Sequence, residues 1–139
     1  MGSSPLLLIA EDDPDDQWLI QDAIEGACLP AVETHFVGDG VELIDYLQQK
    51  DQPQTKPSLV MLDLNMPRKD GRVALREIKA DPDLADIPIV ILTTSQREED
   101  IRYCQSYGVD EYYRKPSTIA DLASIIERIC SEYLSSASN

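Results

Sequence analysis

Five residues with charged or hydroxyl side chains, far apart in the sequence, each stand just after a short apolar segment. They are Glu11, Asp12, Asp63, Thr93 and Lys115. If the apolar segments are parallel strands, their carboxyl ends face one crevice at the edge of the sheet, where ligands bind. Two carboxylates about 4 Å apart repel each other by roughly 4 kcal/mol at an effective dielectric constant near 20. A site with three carboxylates therefore has to take up protons or hold a cation.

The candidate ligands favour a hard cation. All of them are oxygen atoms, with no Cys or His among them. In proteins, Mg²⁺ is bound by one or two carboxylates together with waters and phosphate oxygens. Lys115 and Thr93 would supply a positive charge and a hydroxyl donor for an anion opposite the metal. A metal, a lysine and a hydroxyl group around Asp63 suit the acceptance of a phosphoryl group, which depends on positioning and charge neutralisation.

Each of these residues taken alone also has a purely structural interpretation. An acidic residue after a strand more often caps a helix, and Asp13-Pro14 is a helix start of that kind. The run Thr93-Thr94-Ser95 suits a helix cap, and Lys115-Pro116 suits a turn. The combination is more specific than its members, because one electrostatic problem accounts for all of them.

The apolar segments predict an α/β protein with five strands and five helices in alternation. The run Leu59–Leu62, bounded by prolines, is typical of a strand covered on both faces. The predicted strands are Leu6–Ala10, Val32–Val37, Leu59–Leu62, Ile89–Leu92 and Val109–Tyr113. Helices are predicted from Pro14, over Val41–Gln49, from Gly71, over Gln96–Tyr107 and across Leu122–Tyr133. This alternation implies right-handed βαβ units and a doubly wound parallel sheet. We predict one domain over residues 6–134, with disordered ends at 1–5 and 135–139.

Charge and composition argue against several classes of function. The chain has 139 residues, with 26 acidic against 12 basic side chains and a formal net charge of −14. Nucleic acid is therefore not an expected partner. No apolar run reaches the length of a membrane span, and the first residues lack the features of a secretory signal. Cys28, Cys104 and Cys130 are interpreted as thiols of a cytoplasmic protein.

The motifs resemble the receiver domain of two-component response regulators. The resemblance is carried by Glu11-Asp12, Asp63-Leu-Asn-Met-Pro-Arg-Lys-Asp-Gly71, Thr93, Tyr112 and Lys115-Pro116, and it covers residues 6–134. It implies a flavodoxin-like fold with the strand order 2-1-3-4-5. It also implies that Asp63 accepts a phosphoryl group from a phosphohistidine on a sensor histidine kinase. On this interpretation the protein is no enzyme, but a switch that promotes its own phosphorylation and dephosphorylation.

The same resemblance implies a Mg²⁺ site. Asp12, Asp63 and the backbone carbonyl of Asn65 would bind the ion directly, and Glu11 would act through a water molecule. The family more often has Asp at the position of Glu11. A longer carboxylate at this position is a common variant and leaves the metal interpretation intact.

The resemblance further implies a conformational switch. A phosphorylated Asp63 would carry roughly two more negative charges. Thr93 is expected to bond a phosphoryl oxygen once the loop after the fourth strand moves inward. Tyr112 would then turn from solvent into the gap behind Thr93. This rearrangement is expected to change the surface formed by residues 96–107, the fifth strand and the last helix.

Within the family, the chain resembles the small regulators, built of a receiver alone, that are paired with bacterial and cyanobacterial phytochromes. This closer resemblance is carried by Glu11-Asp-Asp-Pro-Asp-Asp16 and by Lys79-Ala-Asp-Pro-Asp-Leu-Ala-Asp-Ile-Pro88, which runs into Ile91-Leu-Thr-Thr-Ser95. A phytochrome-type histidine kinase is therefore the expected partner. Homodimerisation is expected through the surface of residues 96–107, the fifth strand and the last helix.

Other interpretations stay open. The chain could be a phosphorelay intermediate or a phosphate sink for a non-phytochrome kinase, and the sequence does not separate these outputs. A Mg²⁺-dependent phosphatase with an aspartyl nucleophile often has a second Asp two residues after the first, where this chain has Asn65. A flavin- or nucleotide-binding protein would need a phosphate-binding loop after the first strand, where Glu11-Asp12-Asp13 would repel the phosphate. A degenerate receiver acting as a scaffold is disfavoured because every charged site residue is present.

Overall fold

The computed structural model of the chain describes residues 5–27, 32–49 and 56–134, and within these ranges strands and helices alternate. The strands are β1 (Leu6–Ala10), β2 (Glu33–Val37), β3 (Leu59–Leu62), β4 (Ile89–Thr93) and β5 (Glu111–Arg114). The helices are α1 (Pro14–Ala27), α2 (Gly40–Leu47), α3 (Gly71–Ala80), α4 (Glu98–Ser106) and α5 (Ile119–Tyr133). The predictions for residues 1–4, for the end of the first helix at Leu29-Pro30, for most of the loop Lys50–Pro57 and for residues 135–139 lie outside the described residues.

The strands form one all-parallel sheet with β3 at its centre. The order is β2-β1-β3-β4-β5, and every residue of β1, β3 and β4 is buried. Because successive side chains of a strand point to opposite faces, these strands feed two apolar cores. The core on one side includes residues of α2, α3 and α4, and the core on the other side includes residues of α1 and α5. The predicted flavodoxin-like fold is confirmed.

Several predicted boundaries differ from the structure by one or two residues, and two of these differences have local reasons. The strand predicted over Val109–Tyr113 begins only at Glu111, because the amide of Val109 donates to the carbonyl of Cys104 and so still belongs to the end of α4. Gly108 closes that helix end with a φ of 76°, in the left-handed region that glycine tolerates. The fourth helix begins at Glu98 rather than Gln96, because residues 95–97 form the loop that leads into it.

The β3–α3 loop is pinned to the start of α2. The amide of Gly40 donates to the carbonyl of Lys69 at 3.1 Å, and Arg68 pairs with the buried carboxylate of Asp39 at 3.1 Å. Arg68 itself has a φ of 63°, a conformation that a non-glycine residue rarely adopts. The loop that follows Asp63 is therefore held from outside, by a neighbouring helix end.

The cysteines only partly follow the expectation of thiols. Cys104 is buried and free, and burial raises the pKa of its thiol to about 11. Cys130 is disulfide-bonded, so the expectation is wrong for this residue. Cys28 lies outside the described residues. In the parts of the chain that the structure describes, no helix is both long and apolar enough to cross a bilayer.

Gly71 is predicted to tolerate no side chain. A Cβ atom there would lie 2.3 Å from the carbonyl oxygen of Asp63 and 2.7 Å from the Cα atom of Leu64. Gly71→Ala should therefore lower the free energy of unfolding by about 1–3 kcal/mol. Gly26→Ala is the matched control, because nothing lies within 4 Å of its Cβ position, and it should raise stability by about 0.5–1 kcal/mol. Urea denaturation measures both changes, and equal effects of the two substitutions would contradict the prediction.

Candidate functional site

The carboxyl ends of β1, β3, β4 and β5 meet at one edge of the sheet. Glu11 and Asp12 follow β1, Asp63 follows β3, Thr93 ends β4 and Lys115 follows β5. The structure brings these side chains together as the parallel topology requires. One ligand oxygen from each of the three acidic residues lies within 4.8 Å of the other two, and Thr93 and Lys115 both contact Asp63.

Asp63 is buried, and both of its carboxylate oxygens accept hydrogen bonds. The hydroxyl of Thr93 donates to Oδ1 at 2.8 Å, and the amide of Asn65 donates to the same oxygen at 3.1 Å. The ammonium of Lys115 donates to Oδ2 at 3.0 Å. These donors come from three different segments of the chain, so they fix the carboxylate in one orientation at the end of β3.

Lys115 is the cation at the centre of the acidic group. Its ammonium lies 2.7 Å from Glu11, 2.7 Å from Asp16 and 3.0 Å from Asp63. Burial opposes a positive charge on Lys115, but the hydrogen bonds to these carboxylates outweigh it and hold its pKa above the ordinary value. Lys115 is therefore charged throughout the physiological range, and it offers a fixed positive charge to an anion in the crevice.

The acidic residues are consistent with a divalent cation. Glu11 and Asp63 are buried while Asp12 is exposed, so a cation would have protein oxygens on one side and water on the other. Burial raises the pKa of Glu11 to about 7, against the opposing effect of Lys115. A carboxylate that is costly to ionise, among oxygen ligands without Cys or His, suits a hard divalent ion.

Two further residues named from the sequence lie in the surrounding loops. Asn65 is exposed. Its backbone amide donates the hydrogen bond to Asp63, and its side chain approaches the hydroxyl of Thr94 at 3.4 Å. Tyr112 is half-buried on β5, and its hydroxyl donates to the backbone carbonyl of Ser95 at 3.0 Å. The carbonyl ligand role of Asn65 and the inward turn of Tyr112 stay predictions.

Sequence reasoning missed Asp16 as a member of the site. This carboxylate is on the first turn of α1 and binds Lys115 at 2.7 Å. The available signal was the place of Asp16 in the first turn of α1, the helix that follows the carboxyl end of β1. The acidic motif that contains Asp16 had been used for the helix start and for the resemblance to a subfamily, and not to predict a partner for Lys115.

A second missed group links α3 to α4. Arg72 and Asp100 form a two-pronged ion pair, with Nε to Oδ1 and Nη2 to Oδ2 both at 2.7 Å. The hydroxyl of Ser95 donates to the same Asp100 carboxylate at 2.6 Å. The hydrogen bonds from Arg72 lower the pKa of Asp100 to about 2. Nothing in the sequence pairs Arg72 with a residue 28 positions away.

Comparison with known families identifies the family of this chain. The chain matches the family described as response regulator receiver domain over residues 7–127. It therefore belongs to the response regulator receiver domain family. Proteins of this family are generally phosphoacceptor switches that work with histidine kinases, with an Asp as the phosphorylated residue.

Similar proteins narrow the relationship. Response regulator Rcp1 from Synechocystis sp. is 36% identical over 131 residues, which are 93% of this chain and 88% of Rcp1. The crystal structure of the Mn²⁺-bound form of Rcp1 has a TM-score of 0.85 at 34% identity, covering 96% of this chain and 97% of that one. The crystal structure of the phosphorylated cyanobacterial phytochrome response regulator RcpA has a TM-score of 0.88 at 37% identity, covering 98% of both chains. The chain is thus related to Rcp1 and RcpA.

The pKa of Glu11 predicts how metal-free stability varies with pH. Because the folded-state pKa is raised from 4.5 to about 7, ionising this group costs the folded state stability between these two pH values, by about 1.4 kcal/mol per unit. Without metal at pH 8, Glu11→Gln should therefore be more stable than wild type by on the order of 2–3 kcal/mol. The gain should vanish below pH 4.5, the unshifted pKa.

Urea denaturation in chelator at pH 8 and pH 4 measures this difference. The control is Glu25→Gln, an exposed change on α1 that should stay within about 0.5 kcal/mol of wild type. Adding Mg²⁺ at pH 8 should stabilise wild type more than Glu11→Gln, because the variant lacks one of the clustered carboxylates. A destabilised Glu11→Gln protein at pH 8 in chelator would contradict the prediction.

Proposed function

We propose that this protein is a phosphoacceptor response regulator in which Asp63 receives a phosphoryl group from a histidine kinase. The observation that carries the proposal is the setting of Asp63. Its buried carboxylate lies among a lysine ammonium, a threonine hydroxyl and two more carboxylates that suit a divalent ion. Phosphoryl transfer depends on such positioned charges rather than on elaborate covalent chemistry.

The transfer step is a displacement at phosphorus. A carboxylate oxygen of Asp63 attacks the phosphoryl group of a phosphohistidine, a new P–O bond forms, and the P–N bond breaks. The electron pair of that bond stays on the imidazole nitrogen of the kinase. Asp63 thereby becomes an acyl phosphate. The carboxyl oxygen that is not bonded to phosphorus still accepts a hydrogen bond from Thr93, Lys115 or the backbone amide of Asn65.

Mg²⁺, held by Asp12, Asp63 and the carbonyl of Asn65 with Glu11 acting through a water, would neutralise charge on the phosphoryl oxygens. The chain itself supplies the rest. The ammonium of Lys115 and the hydroxyl of Thr93 already donate to Asp63, and both are within reach of oxygens added to it. Lys115 orients the acyl phosphate. Thr93, the last residue of β4, links it to the loop that follows this strand.

The proposed switch follows from the phosphorylation of Asp63. Thr93 leads into Thr94 and Ser95, and the carbonyl of Ser95 holds the hydroxyl of Tyr112. A shift of Thr93 toward the phosphoryl group would move this loop and release Tyr112 to turn behind Thr93. The surface of α4, β5 and α5 is the proposed output. We propose that the output acts by protein contact, including homodimerisation, with neither nucleic acid nor membrane as partner.

Asp63→Asn is predicted to abolish phosphorylation. Wild-type protein incubated with Mg²⁺ and acetyl phosphate should gain the mass of one phosphoryl group, because the crevice alone supplies the catalytic groups. The variant should gain none, since an amide is a poor nucleophile and forms no stable acyl phosphate. Asp45→Asn, an exposed carboxylate on α2, is the control and should behave as wild type. Intact-protein mass spectrometry gives the result, and a mass gain in Asp63→Asn would overturn the proposal.

For the partner, we propose a histidine kinase of the phytochrome type, acting in the cytoplasm. The support is the relationship to RcpA, a cyanobacterial phytochrome response regulator by description. Sequence identity of 37% over 98% of both chains is compatible with docking to the same type of kinase.

Kinase preference is predicted to be measurable as a rate. An autophosphorylated phytochrome-type kinase should transfer its phosphoryl group to this protein faster than unrelated histidine kinases at equal concentration, because docking complementarity raises the rate of productive encounter. Radiolabelled transfer followed over seconds to minutes measures the rates. Faster transfer from a non-phytochrome kinase would reject the phytochrome partnership while leaving the phosphoacceptor role intact. Onward transfer to a second histidine protein would indicate a phosphorelay intermediate.

A further inference from the structure

We propose that Arg72, Asp100 and Ser95 form a clamp that couples Asp63 to α4, so that α4 responds to phosphorylation only while the clamp is intact. This inference rests on the proposed function, because it concerns how the same site is read elsewhere in the molecule. Arg72 and Asp100 are positioning residues, since neither contacts Asp63.

Arg72 connects the β3–α3 loop to α4. Its guanidinium makes the two-pronged bond to Asp100, and Nη1 contacts Asp70, the cap of α3, at 3.0 Å. The same Nη1 approaches the carbonyl of Leu64, the residue after Asp63, at 3.4 Å. A planar group that bridges these partners transmits a shift of one of them to the others.

The clamp supplies the charged inward contact of α4, beside the contacts of Tyr103 and Cys104 with the apolar core. The buried residues of this helix are Asp100 and Cys104 alone. By contrast, α5 buries Leu122, Ile126, Ile129 and Cys130. With only two buried residues, α4 depends more on individual directional contacts than α5 does, and such elements move at lower cost.

Ser95 joins the clamp to the switch loop. Its hydroxyl donates to Asp100 at 2.6 Å, while its carbonyl accepts from Tyr112 at 3.0 Å. Ser95 lies two residues after Thr93, which donates to Asp63. A pull on Thr93 therefore reaches Asp100 through two residues of backbone and one hydrogen bond, and reaches Tyr112 through the same residue.

The burial of the Arg72–Asp100 ion pair suits it to this role. The side chain of Asp100 is 6% exposed and that of Arg72 is 25% exposed, so the pair has few waters to replace a lost partner. A buried charge that loses its partner is costly, which makes the arrangement two-state rather than gradual. A network of this kind biases one discrete position of α4 against another.

The test uses beryllium fluoride with Mg²⁺, a non-covalent mimic of the phosphoryl group, and hydrogen exchange of backbone amides. In wild type, the mimic should change the exchange of residues 98–107 by a factor in the roughly 5- to 150-fold range of allosteric couplings. In Arg72→Met the change at 98–107 should fall to near unity. Protection around Asp63 should persist in the variant, because its contacts with Thr93 and Lys115 are untouched.

Arg102→Met is the matched control. It also replaces one arginine by methionine, but on α4, where Arg102 pairs with Glu98 in an exposed position, so the wild-type response should remain. Ser95→Ala removes one hydroxyl and leaves the Arg72 pair, and it should weaken the response without abolishing it. If Arg72→Met fails to fold by circular dichroism, Asp100→Asn decides the question by the same criterion.

The outcomes separate the two proposals. A wild-type response at 98–107 in Arg72→Met, with the mimic bound, overturns the clamp alone. Binding of the mimic to wild type without any response at 98–107 also overturns the clamp alone. If wild type does not bind the mimic at all, the proposed function fails and the clamp fails with it.

Discussion

The constraint on which the rest of the structure depends is an excess of negative charge at one edge of the sheet. Glu11, Asp16 and Asp63 each pair with the ammonium of Lys115, and Asp12 adds a carboxylate within 4.8 Å of Glu11 and Asp63. The parallel topology imposes this gathering, because it turns the carboxyl ends of β1, β3 and β5 to the same side. Like charges held together without full compensation store electrostatic free energy. Burial, with a smaller contribution from the charge of Asp63, raises the pKa of Glu11, and a divalent ion or a proton relieves the cost of its charge.

The apolar sheet is what allows the edge to stay charged. Every residue of β1, β3 and β4 is buried, and burial stabilises a fold by about 25 cal/mol per Å² of apolar surface. The acidic side chains stand at the ends of these strands, so they cannot separate without pulling apolar residues out of the core. Gly71 adds a steric limit, because its missing side chain lets α3 begin against the backbone of Asp63. Apolar packing in the two cores thus offsets the electrostatic free energy of the acidic edge.

Sequence patterns predicted those parts of this arrangement that depend on near neighbours in the chain. β3 has the predicted bounds because an apolar run between prolines has few alternatives, and the alternation of strands and helices implied the parallel sheet. The start of β5 was wrong because Val109 bonds to the end of α4, a choice made by hydrogen bonding and not by apolarity. Asp16 was not predicted as a site residue, although it lies in the first turn of α1, the helix that follows β1. The pairing of Arg72 with Asp100 joins residues 28 positions apart, and only the packed helices reveal it.

The two sides of the sheet differ in how their helices are held, and that difference suits a switch. α5 packs through an apolar stripe, whose attraction is non-directional and tolerates small shifts without releasing the helix. α4 buries fewer residues and adds an ion pair and a hydroxyl contact, whose strength falls steeply once the geometry is lost. A displacement of one ångström or so is therefore small for an apolar contact but large for a two-pronged hydrogen bond. A signal that starts as a small movement at Thr93 is best amplified where the holding force is directional. In the proposed switch, α4 meets that requirement. α5 keeps its position on the sheet, so that α4 moves relative to it.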